Sequence, residues 1–405
     1  MAGFHHGVPE AAVAAVTADH LSDSPHRVHL LLAESLFAAE QWAEDTALFL
    51  RFAGSELPTV VIPFPEPVAE EPGEILDQTC DRLAVLAELA KSPEEGAARL
   101  LVATTPAALL APCPRRASLE EREIILRTGE SHDLGQVTRD LAERLGYASE
   151  ILCERPGEFA ARGGLLDVYP LNATAPARID FFGNEIEEIR EYDPTTQRSE
   201  GPIDLISIIS ADGSEETRGG FFEHLGESVT WVLREPESLA DGFPSFFHQA
   251  TELANPLPCL QDALDRPAGK DDRFLGIAEL ETESGPLENP DRREWSLETL
   301  ENLRGEKSRD VLELDRLETE RAVRTNYLRQ LARWRKEGYQ VLISHGIDAE
   351  RERLRETIEA EDDLKALDPA YVDGGLHAGF RLNLANKETA LGITGSAKVA
   401  GLVVA

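Results

Sequence analysis

The 405-residue sequence is poor in cysteine and lacks the features of several special protein classes. Its four cysteines are more than thirty positions apart, which excludes a CxxC metal knuckle and provides no disulfide framework. No run approaches the roughly 18 apolar residues of a membrane span, and residues 1–7 do not resemble a secretion signal. We therefore expect a cytoplasmic protein that has no membrane partner.

The sequence also lacks a P-loop, the pattern GxxxxGK[ST] that holds nucleotide phosphates with backbone amides and a lysine. The first lysine is Lys91, so an N-terminal loop at residues 3–10 before a helix at 11–20 could keep the geometry of this site but not its chemistry. Residues 269–271 lack the earlier glycine and the hydroxyl, and residues 305–308 separate glycine from lysine. We expect no nucleotide hydrolysis, no catalytic residues and no cofactor.

No metal site is expected either, because the histidines are not spaced as a ligand set. Adjacent side chains point apart, and residues three apart in a strand lie on opposite faces. The histidines considered are His5, His6, His26, His29, His132, His224 and His345.

The charge balance disfavours a nucleic-acid-binding protein. The chain has 75 acidic and 40 basic residues, a net charge of −35, and such a field repels phosphate backbones. Residues 321–336 are an exception, with six bases, no acid and an apolar stripe of Val323, Tyr327, Leu331 and Trp334 that indicates an amphipathic helix. A nucleic-acid-binding remnant that uses this helix is thus the alternative to a protein-binding module, and we expect weak or absent DNA binding.

Short apolar runs alternate with helical periodicity near the N-terminus. Residues 28–32, 59–62 and 99–103 are predicted to be buried strands, and 34–50 and 74–90 to be helices, which is typical of a parallel α/β layer. Proline-rich sequence near residue 112 suggests a border. Further strands are predicted at 229–233, 273–280 and 339–343.

The next segment is predicted to be α+β, with a helix at 133–145 and a hairpin closed by Gly183 and Asn184. In the first hairpin strand, Ile179 and Phe181 lie on one face, and Arg178, Asp180 and Phe182 lie on the other. Aromatic and arginine side chains on one face are typical of interfaces. The alternative is that a loop covers Phe182 and that Arg162 and Arg178 are solvated or paired to local acids.

Three stretches between Pro156 and Ser199 resemble a known domain: PGEFAARGGLLDVYP, RIDFFGNEIEEIR and DPTTQRS. They are similar to the UvrA-interaction domain shared by the excision-repair subunit UvrB and the transcription-repair coupling factor. UvrB carries an intact P-loop. This sequence has no P-loop, so the resemblance points to the coupling factor. Weaker similarity to the coupling factor extends along most of the chain, including the N-terminal loop region, the strand near Arg99 and the final domain with Gly379-Phe380.

The resemblance implies an α/β multidomain protein. A degenerate P-loop-NTPase-like α/β domain at 1–117 and 210–318 is split by an inserted α+β UvrA-binding domain at 118–209, and a linker helix and a small α/β domain follow at 319–405. It also implies that the chain recruits UvrA in nucleotide excision repair through Arg162, Arg178 and Phe182. Whole coupling factors continue into polymerase-binding and translocase domains, so RNA polymerase binding and translocation are not expected of a chain that stops at Ala405.

Overall fold

A computed structural model describes residues 2–55, 57–67, 72–91, 98–210, 218–226, 228–243, 272–282, 287, 289–301, 313–383 and 401–404. Cys259 and the segments 269–271 and 305–308 lie outside the described residues. The strands, numbered in chain order, are β1 (Ala2–His6), β2 (Val28–Leu32), β3 (Thr59–Phe64), β4 (Arg99–Thr104), β5 (Cys113–Pro114), β6 (Ile124–Arg127), β7 (Ala148–Ser149), β8 (Glu158–Arg162), β9 (Leu165–Val168), β10 (Ala177–Phe182), β11 (Glu185–Tyr192), β12 (Ser199–Ile203), β13 (Leu205–Ile208), β14 (Arg218–Gly219), β15 (Val229–Arg234), β16 (Arg273–Ile277), β17 (Asp291–Glu294), β18 (Leu297–Thr299), β19 (Tyr339–His345), β20 (Ala370–Asp373), β21 (Phe380–Asn383) and β22 (Gly401–Val404).

The α-helices are numbered in the same way. They are α1 (Val13–Ser22), α2 (Leu36–Phe52), α3 (Pro72–Ala90), α4 (Pro106–Leu110), α5 (Arg116–Glu121), α6 (Leu134–Glu143), α7 (Pro236–Gly242), α8 (Glu313–Lys336) and α9 (Asp348–Ala360). No helix in the described ranges is long and apolar enough to span a membrane.

The first sheet has seven strands, all parallel, in the order β17-β1-β16-β15-β2-β4-β3. Strands β15 to β17 lie far along the chain yet pair with β1 and β2, so the sheet is built from both sides of an inserted segment. Strands β2 and β4 are buried throughout, as expected for apolar runs covered on both faces. The predicted mixed α/β architecture is confirmed.

The N-terminal loop differs from the prediction. Residues 3–6 belong to β1, and only residues 7–9 separate this strand from a 3-10 turn at Glu10–Ala12 and from α1. The strand forms because Phe4 is fully buried and because β1 pairs with both β16 and β17. The long loop predicted at residues 3–10 is therefore wrong, and the degenerate P-loop at this position is not confirmed.

The inserted segment contains a six-stranded sheet in the order β12-β11-β10-β9-β8-β7. Its inner face and α6 share a hydrophobic core that includes Val137, Leu141, Leu166 and Ile179. Asp133 caps α6, since its carboxylate accepts a hydrogen bond from the Gln136 amide at 2.7 Å. The predicted helix and hairpin are both confirmed.

A third sheet, in the order β18-β21-β22-β19-β20, is formed by the C-terminal part of the chain. Strand β18 precedes residue 318, so this sheet reaches back across the border predicted there. One face packs on α8 through Leu328, Leu331 and Trp334. The predicted apolar stripe included Leu331 and Trp334 but not Leu328. The other face joins the core around α1 and α2.

Candidate functional site

The outer face of the six-stranded sheet carries the three predicted binding residues. Register pairs Arg162 with Leu165, Leu165 with Asp180, and Asp167 with Arg178 across β8, β9 and β10. Paired residues point to the same side of a sheet, so these side chains share one face, opposite the face that packs on the core. The alternation predicted for β10 is confirmed, because Ile179 and Phe181 are buried.

Phe182 ends β10 and is 74% exposed. It stands beside the turn at Gly183 and Asn184, just after a β-bulge between Asp180 and Phe181 at which Glu187 is the extra residue. The alternative that a neighbouring loop covers Phe182 is therefore wrong. An exposed aromatic side chain on a hydrogen-bonded hairpin is a feature of binding surfaces.

Arg178 is held by a bidentate ion pair. Its Nε donates to Asp167 Oδ1 at 2.7 Å and its Nη2 to Asp167 Oδ2 at 2.9 Å, while the guanidinium lies 4.8 Å from the centre of the Tyr192 ring. The hydrogen bond to Asp167 raises the pKa of Arg178. Arg178 is therefore paired to a local acid, as the alternative prediction stated, and its guanidinium is held within the sheet.

Arg162 ends β8, is exposed, and donates a hydrogen bond to the Ile151 carbonyl. The next two residues form the turn to β9, and each favours glycine for a different reason. Gly163 has φ +60°, and a Cβ on Gly164 would lie 2.7 Å from the Phe181 carbonyl oxygen. Because the Phe181 amide also donates to the Gly164 carbonyl at 2.8 Å, the turn and the hairpin are fixed to each other.

A groove of about 550 Å³ lies between the turn and the hairpin. Its lining residues are Arg162, Gly164, Leu165, Asp180, Phe181, Glu187 and Glu188. Exposed apolar residues that the sequence analysis did not single out accompany it: Leu165 in β9, and Ile151 and Leu152 in the loop before β8. A signal for Leu165 exists, since of two consecutive leucines in a strand one must face outward.

Two arginines of the basic helix α8 are paired with acidic residues that follow α9. Arg329 Nε lies 2.6 Å from Asp363 Oδ2, and Arg335 lies 3.7 Å from Asp368. These pairs place part of the positive charge of α8 against local carboxylates. A phosphate would have to compete with these carboxylates for the arginines.

The described residues contain no group of histidine, cysteine and carboxylate side chains that could hold a metal ion. Burial lowers the pKa of His5 to about 3, with a smaller effect from His20. Burial raises the pKa values of Cys113 and Cys153 to about 12, so neither thiol ionises readily near neutral pH.

Comparison with known proteins identifies the inserted segment. Residues 124–213 match the UvrB interaction domain family. Similar curated proteins include the transcription-repair-coupling factors of Staphylococcus haemolyticus, 39% identical over 92 residues, and Haemophilus influenzae, 32% identical over 134 residues. These matches cover 23% and 31% of this chain but only 8% and 11% of the two relatives. The predicted resemblance is confirmed, and all the predicted site residues lie within the matched segment.

Proposed function

We propose that this chain, which carries a UvrB interaction domain at residues 124–213, is a docking module that binds UvrA in transcription-coupled nucleotide excision repair. The observation that carries the proposal is Phe182, an exposed aromatic side chain on a hairpin inside the matched segment. The hairpin is part of a six-stranded sheet and is fixed to the neighbouring turn, so the side chain is presented on a rigid support. Little ordering entropy then opposes binding.

The three predicted residues have different roles in this proposal. Phe182 supplies apolar area, and Arg162 supplies an exposed guanidinium beside the groove. Arg178 supports the surface from within, because its guanidinium is paired with Asp167. The proposed docking needs no nucleotide hydrolysis, and DNA binding by this chain is expected to be weak or absent.

The test is a titration of the chain with purified UvrA, with duplex DNA titrated in parallel. Phe182→Ala is expected to weaken UvrA binding about 30-fold, since truncation of a central aromatic anchor costs on the order of 2 kcal/mol. The matched control is Phe37→Ala, because Phe37 is 69% exposed but lies at the start of α2, outside the inserted segment.

Both variants should melt at the wild-type temperature, because both side chains are exposed. Equal weakening by the two variants would show that the site is not specific. Tight binding of duplex DNA without UvrA binding would favour the alternative of a nucleic-acid-binding remnant.

A further inference from the structure

The groove beside Phe182 is lined by more negative than positive groups. Asp180, Glu187 and Glu188 contribute carboxylates, and Arg162 contributes one guanidinium. Its volume of about 550 Å³ is ample for one long side chain, since pockets of roughly 300–1,000 Å³ hold whole small molecules.

Ion pairs on this face leave one of the three carboxylates without a partner among the described residues. Arg190 donates to Asp180 and lies 3.3 Å from Glu188, so two of the carboxylates share a single guanidinium. Arg162 is directed to the Ile151 carbonyl. Glu187, the extra residue of the bulge, is exposed, and its carboxylate makes no hydrogen bond or ion pair with any residue that the structure describes. The uncompensated charge of the groove is therefore negative.

Apolar side chains flank this charge. Leu165, which lines the groove, is 39% exposed, and Phe182 stands at the end of the same hairpin. Ile151, whose carbonyl accepts the Arg162 hydrogen bond, is 83% exposed. Apolar walls around a carboxylate suit a side chain with an aliphatic stem and a cationic head.

We propose that the groove receives an arginine or lysine side chain of the docked partner, with Glu187 as its acceptor and Leu165 as the wall for its stem. The proposal rests on the proposed function, since it names the chemistry by which the same surface recognises UvrA. Phe182 directly follows Phe181, which lines the groove, so the partner would bury the aromatic anchor and the ion pair together. Charge complementarity selects a basic occupant, because three carboxylates line the groove against the guanidinium of Arg162 and the one of Arg190 that two of them share.

The test measures UvrA affinity for Glu187→Lys and Glu187→Gln at low and high salt. Charge reversal is expected to weaken binding at least tenfold at low salt, and removal of the charge by about threefold, with both effects smaller at high salt. The control is Glu143→Lys, which makes the same change in net charge on α6, the helix that shares the core of the inner face. This control should bind within about twofold of wild type.

A second pair of variants tests the wall. Leu165→Ala should weaken binding about fivefold, because a half-exposed leucine loses part of its buried area at the interface. Leu165→Met should bind about as tightly as wild type, since methionine keeps the apolar volume.

The outcomes separate the two proposals. If Phe182→Ala weakens UvrA binding while Glu187→Lys binds as tightly as wild type, the groove proposal fails and the proposed function stands. Tighter binding by Glu187→Lys would show that the occupant is acidic. If wild-type protein does not bind UvrA at all, the proposed function fails and the groove proposal fails with it.

Discussion

Gly164→Ala is expected to damage the binding surface through the backbone rather than by removing a contact with a partner. The added Cβ would lie 2.7 Å from the Phe181 carbonyl oxygen, whereas ordinary contacts begin at 3.4 Å. The hairpin must therefore move by several tenths of an ångström. Phe182 follows Phe181 directly, so the displacement reaches the exposed aromatic side chain.

The cost can be estimated from two terms. Forcing an extra methyl group into a close-packed site costs roughly 1–3 kcal/mol. The Phe181 amide also donates to the Gly164 carbonyl at 2.8 Å, and weakening that bond adds up to about 1 kcal/mol. Gly163→Ala is the matched control, because its Cβ would meet nothing within 4 Å and only its φ of +60° is strained. That strain costs about 1–2 kcal/mol.

Hydrogen exchange of the hairpin β10–β11 distinguishes these two mechanisms. Gly164→Ala should accelerate exchange of the Phe181 amide, whereas Gly163→Ala should leave it near the wild-type rate. UvrA affinity should fall more in Gly164→Ala than in Gly163→Ala. Wild-type exchange and wild-type affinity in Gly164→Ala would refute the close-approach argument.

Three further predictions concern stability and chemistry. Burial, and then the charge of Arg99, lowers the pKa of His29 to about 3, so the unfolded chain binds more protons between pH 3 and 6.5. The free energy of unfolding should therefore fall as the pH is lowered from 8 to 5, and His29 should account for about 2 kcal/mol of that fall. His29→Leu should reduce the dependence of the melting temperature on acid pH. Arg82 is buried and donates to four backbone carbonyls at 2.7–3.2 Å, so Arg82→Met should cost about 3 kcal/mol in chemical denaturation; an unchanged midpoint would contradict this. The missing P-loop lysine predicts ATP turnover below about 0.1 per second, with or without DNA; a faster rate in a preparation free of contaminating ATPase would refute it.

Local patterns predicted the parts of the fold that have a strong period. The continuous apolar runs of β2 and β4 form interior strands of a parallel sheet, and the alternation in β10 placed Phe182 outside. A two-residue turn between alternating strands fixes the hairpin register over a short sequence distance. These features depend only on neighbouring residues, which the sequence shows directly.

Long-range pairing accounts for the parts that were not predicted. Strand β1 extends through residues 3–6 because β16 and β17 flank it, and both lie more than 260 residues away. Strand β18 is only three residues long and pairs with β21 about 80 residues later. Such short segments carry too little periodicity to indicate a strand by themselves.

The binding surface was predicted unevenly for a related reason. The exposure of Phe182 follows from alternation, whereas the commitment of Arg178 to Asp167 depends on the register of β9 against β10. Asp167 lies between two buried apolar residues, so its outward position was visible in the sequence. Its pairing with Arg178 was not visible, because alternation assigns a face and not a partner.

This pairing makes Arg178 a test of whether loss of binding follows loss of folding. Arg178→Glu would place a second carboxylate beside Asp167, whose side chain is 10% exposed, and should destabilise the domain by on the order of 2 kcal/mol. Adding Asp167→Arg restores an opposite-charge pair with the positions exchanged, and the melting temperature should recover. We expect UvrA affinity to recover with it, because the bidentate pair with Asp167 already uses the Arg178 guanidinium within the sheet. Recovered stability without recovered affinity would refute this and place Arg178 in direct contact with UvrA.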